Sequence, residues 1–351
     1  MFMFESDTAD QVWLEAASAL KLQAARQLQG SRCGNTAELL HVLLHVRDPR
    51  QRWVLSRTPG MSVAFAIVEV IGIVNGRKDA GYLNFFNASL PRYSGESVEY
   101  YGAYGHRLRS HFGFDQLRRA ANALECNPDG RQVLLQIWDP ATDFPSEAGT
   151  PRAEDIPCNI CSMLKLRQGK LEWSQTMRSN DVFRGLPYNF IQFTTLQEVI
   201  AGWLGAELGT YSHFSDSLHV YEKDMNATFS SARIAIPENR DSLSLPMKDA
   251  ERIWSEMNRR VDLLVTDQVS GRQFAGLAQI EDAPQSFTNL MAVVVADAAR
   301  RRGKISAMHK AIEICANPVL QHLWRNWEAR KSKKKAPQKA RVRTADILMQ
   351  A

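Results

Sequence analysis

The chain has 351 residues, enough to bury a sizeable core as one large domain or two smaller ones. Its 44% hydrophobic and 23% charged residues read as globular, and five scattered cysteines, an odd number, argue against a disulfide framework. The net charge of +5 resides in a tail: eight basic residues and no acid lie between Arg330 and Arg343, and subtracting those eight leaves the remainder at −3.

Met1 to Phe4 runs into Glu5, Asp7 and Asp10, without the basic start and long apolar region of a signal peptide. Spacing of Val12, Leu14, Leu20, Leu22 and Leu28 predicts an amphipathic helix over about 10–29, followed by a turn-rich stretch from Gly30 to Thr36 and a strand from Leu39 to Val46. Met61 to Val74 predicts a buried helix ended by Asn75-Gly76. Within it, Val63 to Val74 is the longest apolar stretch; it is interrupted by Glu69 and falls far short of the ~20 residues of a membrane span. The expected compartment is therefore the cytoplasm.

A helix from Phe114 to Glu125 stops at Asn127-Pro128-Asp129-Gly130, a strand spans Gln132 to Trp138, and Pro140 to Asp155 reads as a loop. Strands at about 158–166 and 171–177 form a hairpin around Arg167-Gln168-Gly169-Lys170. A helix from Phe193 to Leu204 and a strand from Gly209 to Tyr221 follow. From Pro246 onward helices are predicted at about 246–264, 287–300 and 304–328, then a disordered basic tail. The expected division is a domain over 1–240, a helical segment over 241–329 and a tail over 330–351.

The chemistry concentrates around one thiol. Cys158 opens a strand-like run; Met177-Arg178-Ser179-Asn180-Asp181, Gly185-Leu186-Pro187-Tyr188-Asn189 and Ser217-Leu218-His219-Val220-Tyr221 follow it in order. Cys158-x-x-Cys161 is the only CxxC; no second pair or spaced histidines accompany it, so no metal site is expected. In a strand the two thiols point to opposite faces. A nucleophilic cysteine needs a depressed pKa, which a nearby guanidinium such as Arg178 can supply.

This arrangement resembles the thymidylate synthase family, over roughly residues 25–225. The resemblance implies an α+β fold, a mixed sheet with flanking helices, here extended by a helical C-terminal segment. It implies Cys158 as the nucleophile on carbon 6 of a pyrimidine 5′-monophosphate, dUMP favoured. A one-carbon unit from the co-substrate 5,10-methylenetetrahydrofolate then adds to carbon 5. Arg178 and Ser179 correspond to phosphate ligands, and Asp181 fixes the site or the folate side. Asn189 corresponds to the reader of the uracil edge, since an amide can donate to a carbonyl and accept from a ring N–H. His219 and Tyr221 correspond to the pair that holds the sugar 3′-hydroxyl.

Upstream, Arg32-Cys33-Gly34-Asn35-Thr36 looks like the family's phosphate loop, making Arg32 a second phosphate ligand. Glu69 falls where the family places the glutamate that organises waters and proton transfer at the base O4, and Tyr104 is the candidate for helping remove the carbon 5 proton. Arg131, in Asn127-Pro128-Asp129-Gly130-Arg131, matches an arginine that reaches into a partner's site, which implies a homodimer.

Four departures stand out: Gln132 in place of a second cross-subunit arginine, Asn159 after the nucleophile, Leu90 at the position of a shielding Trp, and Met349-Gln350-Ala351 in place of a short apolar tail. Loss of the shields leans towards water capture and a hydroxymethyl product, while the family pattern leans towards methyl. Two other classes stay open: a nucleotide-binding regulatory protein that keeps the clamp without turnover, and a nucleic-acid-associated protein acting through residues 330–343. With eight charges and no interleaved aromatics, that tail supports at most salt-sensitive, sequence-independent binding. The nucleophile set separates the enzyme from both.

Overall fold

A seven-stranded mixed sheet organises the molecule, seen in a computed structural model that describes residues 1–24, 27–31, 34–225, 238–266, 269 and 273–335, with side chains to 331. The strands are β1 (Phe2–Ser6), β2 (Thr36–Val46), β3 (Leu134–Gln136), β4 (Asn159–Arg167), β5 (Lys170–Met177), β6 (Asn180–Asp181) and β7 (Glu207–Tyr221). Their order is β1-β2-β7-β5-β4-β3, with β6 pairing β7. β7 runs antiparallel to β2 and parallel to β5, and this mixture is the expected one. β1, which sequence patterning did not predict, joins the edge parallel to β2.

The helices are α1 (Ala9–Ala24), α2 (Val63–Val74), α3 (Gly81–Phe86), α4 (Pro91–Ser94), α5 (Tyr104–His106), α6 (Gln116–Cys126), α7 (Pro140–Asp143), α8 (Leu186–Trp203), α9 (Met247–Val265), α10 (Gln285–Arg301), α11 (Ile305–Glu313) and α12 (Pro318–Lys335). Alternation along β5 and β7 turns Leu171, Trp173, Met177, Tyr211, Leu218 and Val220 towards the helices. The opposite face, with Leu43, Cys161, Thr176 and Phe214, is only half-buried.

α2 and α8 form the middle layer. Every residue of α2 except Glu69 is buried, and α8 buries all but two of its positions, Tyr188 and Trp203. A helix apolar on all sides needs cover on all sides. α9, α10 and α12 supply it, so the C-terminal helices pack against the helices that carry the site. α2 starts at Ser62, whose hydroxyl accepts from the Phe65 N–H, and ends at Asn75, whose side chain donates to the Ile71 carbonyl at 2.8 Å.

Four expectations are corrected. The first helix ends at Ala24, not about residue 29. α8 starts at Leu186, seven residues before the predicted Phe193, because Pro187 suits a first helical turn. The segment predicted as one helix over 304–328 is two, α11 and α12, broken ahead of Pro318. Residues 330–335, assigned to a disordered tail, continue α12, while 336–351 lie outside the described residues. Among the described residues no helix is long and apolar enough to cross a membrane.

Candidate functional site

The two loops that lead into Cys158 and Tyr104 are tied together. The Gly102 N–H donates to Asp155 Oδ2 at 2.9 Å, and a Cβ on Gly102 would lie 2.6 Å from the Asp155 carbonyl oxygen. Gly105 likewise allows α5 to sit on α2, since a Cβ there would meet the Gly72 carbonyl oxygen at 2.7 Å. This close approach sets Tyr104 beside Glu69.

Cys158 is a half-buried thiol immediately before β4, and a β-bulge between Asn159 and Cys161 starts the strand. Arg178 braces it. The Arg178 backbone N–H donates to the Cys158 carbonyl at 2.9 Å, while its Nε and Nη2 donate to the carbonyls of Pro157 and Ile156 at 2.9 and 3.1 Å. The guanidinium carbon also lies 5.4 Å from the centre of the Trp138 ring. The turn after Arg178 is anchored from below: Asn180 Nδ2 donates to His213 Nε2 at 2.9 Å, and His213 Nδ1 bonds the Tyr211 hydroxyl. Burial holds His213 neutral, down to about 3.

These residues open onto one cavity of about 1090 Å3. Cys158, Glu69, Tyr104, Arg178, Ser179, Asp181, Asn189, His219 and Tyr221 all line it, and Leu90 forms part of its wall. Cys161 does not line it, so the two thiols are separated. Cys158 lies outside the strand and a bulge falls between them, so the separation comes from the bulge and not from the simple alternation expected. Arg32 lies outside the described residues, though its neighbours Gly30 and Ser31 line the cavity. Arg131 and Gln132 are exposed and do not line this chain's own cavity. Among the described residues no cluster of three or more His, Cys, Asp or Glu forms a metal site.

Electrostatics set the protonation states. Burial raises Glu69 to about 8, opposed by a hydrogen bond from Gln192. Its Oε2 is buried with no hydrogen-bond partner among the described residues. Burial also pushes Tyr104 well above the usual phenol range, with the Cys158 and Asp155 charges adding to it and Arg178 opposing. Asp181 rises to about 7 through burial, even though its Oδ1 accepts the N–H groups of Phe183 and Arg184 at 2.8 and 2.9 Å. Asp181 Oδ2, 3.9 Å from Arg184 Nε, has no hydrogen-bond partner among the described residues. Asn189 is 6% exposed; its Nδ2 donates to Gln192 Oε1 at 3.1 Å and its Oδ1 is likewise unpartnered. Burial lowers His219, and its ring meets Tyr221 edge-on at 5.5 Å.

Several lining residues escaped sequence reasoning. Gln192 was missed because the predicted helix began one residue beyond it; Pro187 was the available signal. Arg57, buried and donating from Nε to the Phe183 carbonyl at 2.8 Å, lacked any motif. Trp327, Arg330 and Lys331 of α12 and Arg301 of α10 also line the cavity. Arg330 and Lys331 were read as tail and stand here as wall. Asp297, fully buried, holds Arg301 and Trp327 of this wall: it pairs with Arg300 and Arg301 at 2.7 and 2.6 Å and accepts from Trp327 Nε1 at 3.4 Å.

The sequence model described as thymidylate synthase matches residues 32–259. The deoxyuridylate hydroxymethyltransferase of Bacillus phage SP01 is 31% identical over 238 residues, 65% of this chain and 61% of that protein. The enzyme of the same name from Pseudomonas phage M6 is 34% identical over 164 residues, 46% of this chain and 45% of that protein. A thymidylate synthase from Oenococcus oeni is 30% identical over 112 residues, 32% of this chain and 33% of that protein. The chain thus spans less than two-thirds of the length of these relatives.

Proposed function

Because the chain belongs to the thymidylate synthase family, we propose that it transfers a one-carbon unit from 5,10-methylenetetrahydrofolate to carbon 5 of dUMP through a Cys158 adduct, and that water completes the product as a hydroxymethyl group. The observation that carries this reading is the convergence of Cys158, Glu69, Tyr104, Arg178, Asn189 and His219 on one cavity. The name shared by the two phage relatives supports the hydroxymethyl product, as does Leu90, which offers no indole ring to cover the reacting carbon.

The Cys158 thiolate adds to carbon 6 and makes carbon 5 a nucleophile. Carbon 5 bonds the methylene carbon, loses its proton to a water that the neutral Tyr104 hydroxyl orients, and tetrahydrofolate leaves with the electrons of the broken carbon–nitrogen bond. Water then bonds the exocyclic carbon, and the sulfur departs from carbon 6 to restore the ring. Glu69, held neutral by burial, donates towards O4 while charge develops there. Asn189 Oδ1 accepts from N3–H, and its second Nδ2 hydrogen serves O4. His219 and Tyr221 hold the sugar, and Arg178, Ser179 and Arg32 hold the phosphate.

The residues fit a folate. Asp181 Oδ2, buried and without a hydrogen-bond partner among the described residues, suits a ring N–H donor. Phe65 and Tyr188, edge to face at 5.4 Å, with Trp327 from α12, supply apolar wall for the aromatic portion. We read Arg131, exposed and away from its own cavity, as reaching the site of a second subunit across the half-buried sheet face. The test is incubation with methylenetetrahydrofolate and each of dUMP, UMP, dCMP and CMP, with products identified by mass. Conversion of dUMP supports the reading; turnover of none of the four defeats it.

A further inference from the structure

Asn189 and Gln192 stand three residues apart on α8, so their side chains share a face, and Glu69 meets them from α2. Gln192 Oε1 accepts from Asn189 Nδ2 at 3.1 Å. With that oxygen committed, the Gln192 amide nitrogen is the group that donates to the Glu69 carboxyl. Donors therefore run in one direction, from Asn189 through Gln192 to Glu69. The two oxygens left over, Asn189 Oδ1, an acceptor, and Glu69 Oε2, which carries the proton of the neutral carboxyl, are buried without hydrogen-bond partners among the described residues. All three side chains line the cavity.

We infer that Gln192 is a positioning residue that sets base choice, by locking the Asn189 amide with its oxygen towards the nucleotide. The inference rests on the uracil reading above and deepens it. Uracil offers N3–H to that oxygen. Cytosine offers an N3 lone pair, which opposes it, and is matched only if Asn189 turns over. A turned Asn189 would face Gln192 with oxygen against oxygen, so Gln192 would have to turn as well. The turned Gln192 would then demand a donor from Glu69, drawing that proton inward and away from the base. Rejection of cytosine is thus built across three side chains, not one.

The experiment measures dUMP and dCMP binding and kcat/KM for wild type, Gln192→Met and Gln192→Glu, with thermal unfolding as a folding control. Gln192→Met keeps the volume and removes both hydrogen bonds; its dUMP-over-dCMP ratio is expected to fall by about tenfold or more. Gln192→Glu keeps an acceptor for Asn189 Nδ2, and its ratio is expected to stay within about threefold of wild type. A merely structural role would lower both nucleotides together and leave the ratio unmoved. An unchanged ratio in Gln192→Met, or a ratio lost equally in Gln192→Glu, overturns the inference. A wild type that binds neither nucleotide, or prefers dCMP, defeats the uracil reading itself, and so the two failures are distinguishable.

Discussion

The backbone N–H of Arg178 donates to the carbonyl of Cys158 at 2.9 Å, so the cation and the thiol are held by the same stretch of backbone. The Arg178 guanidinium then caps the two carbonyls just before the thiol. One residue thereby fixes the backbone of the thiol and keeps a cation beside it.

Cys158→Ala should abolish the covalent complex with 5-fluoro-dUMP and methylenetetrahydrofolate, while dUMP binding survives. Cys161→Ala should leave that complex intact, since Cys161 lies off the cavity. Intact-protein mass spectrometry reads both. Arg178→Lys should lose about 100-fold or more in kcat/KM, because an ammonium cannot reproduce the planar fork.

Glu69→Gln should stabilise the protein at alkaline pH and abolish turnover. The folded carboxyl is raised to about 8, so its neutral form is favoured in the native state. Its contribution to stability is complete below the ordinary carboxylate range and is lost as pH rises towards about 8. Asp181, raised to about 7, acts in the same sense. Urea unfolding across this range should show wild-type stability falling with pH more steeply than that of Glu69→Gln. The gap is expected to reach about 3–5 kcal/mol at the alkaline end.

Trp327→Ala should raise the KM for methylenetetrahydrofolate by about tenfold and leave the Kd for dUMP within about threefold. Trp327 stands on the wall that α12 contributes. Asp297→Ala should do the same and also destabilise the fold by about 3 kcal/mol, because it strands the Arg300 and Arg301 charges. Equal weakening of both ligands would contradict a folate-side role for α12.

Arg131→Glu and Cys158→Ala should each be inactive alone and should regain activity when mixed and reassembled. A hybrid dimer holds one site with an intact thiol and an intact partner arginine. No recovery after refolding together would contradict the cross-subunit role of Arg131.

Much of this architecture was legible locally. The apolar run of α2, its Asn75-Gly76 stop and the hairpin around Arg167–Lys170 are written in adjacent residues. The ordered motifs around Cys158, Arg178, Asn189 and His219 identified the lining that the fold assembles. β1 was not legible, because its five residues become a strand only through parallel pairing with β2, about forty positions away. Placing this helix from Phe193 hid the first two turns of α8, and with them the Asn189–Gln192 face. Trp327, Arg330 and Arg57 carry no motif; only tertiary packing brings them to the cavity.

The most direct test of the central claim is a single incubation of dUMP and methylenetetrahydrofolate in heavy-oxygen water, with wild type and Cys158→Ala compared by product mass. The account predicts 5-hydroxymethyl-dUMP carrying the heavy oxygen from wild type and unchanged dUMP from the variant. Unchanged dUMP from wild type, or equal product from Cys158→Ala, would contradict the nucleophile assignment; dTMP without heavy oxygen would contradict water as the final partner.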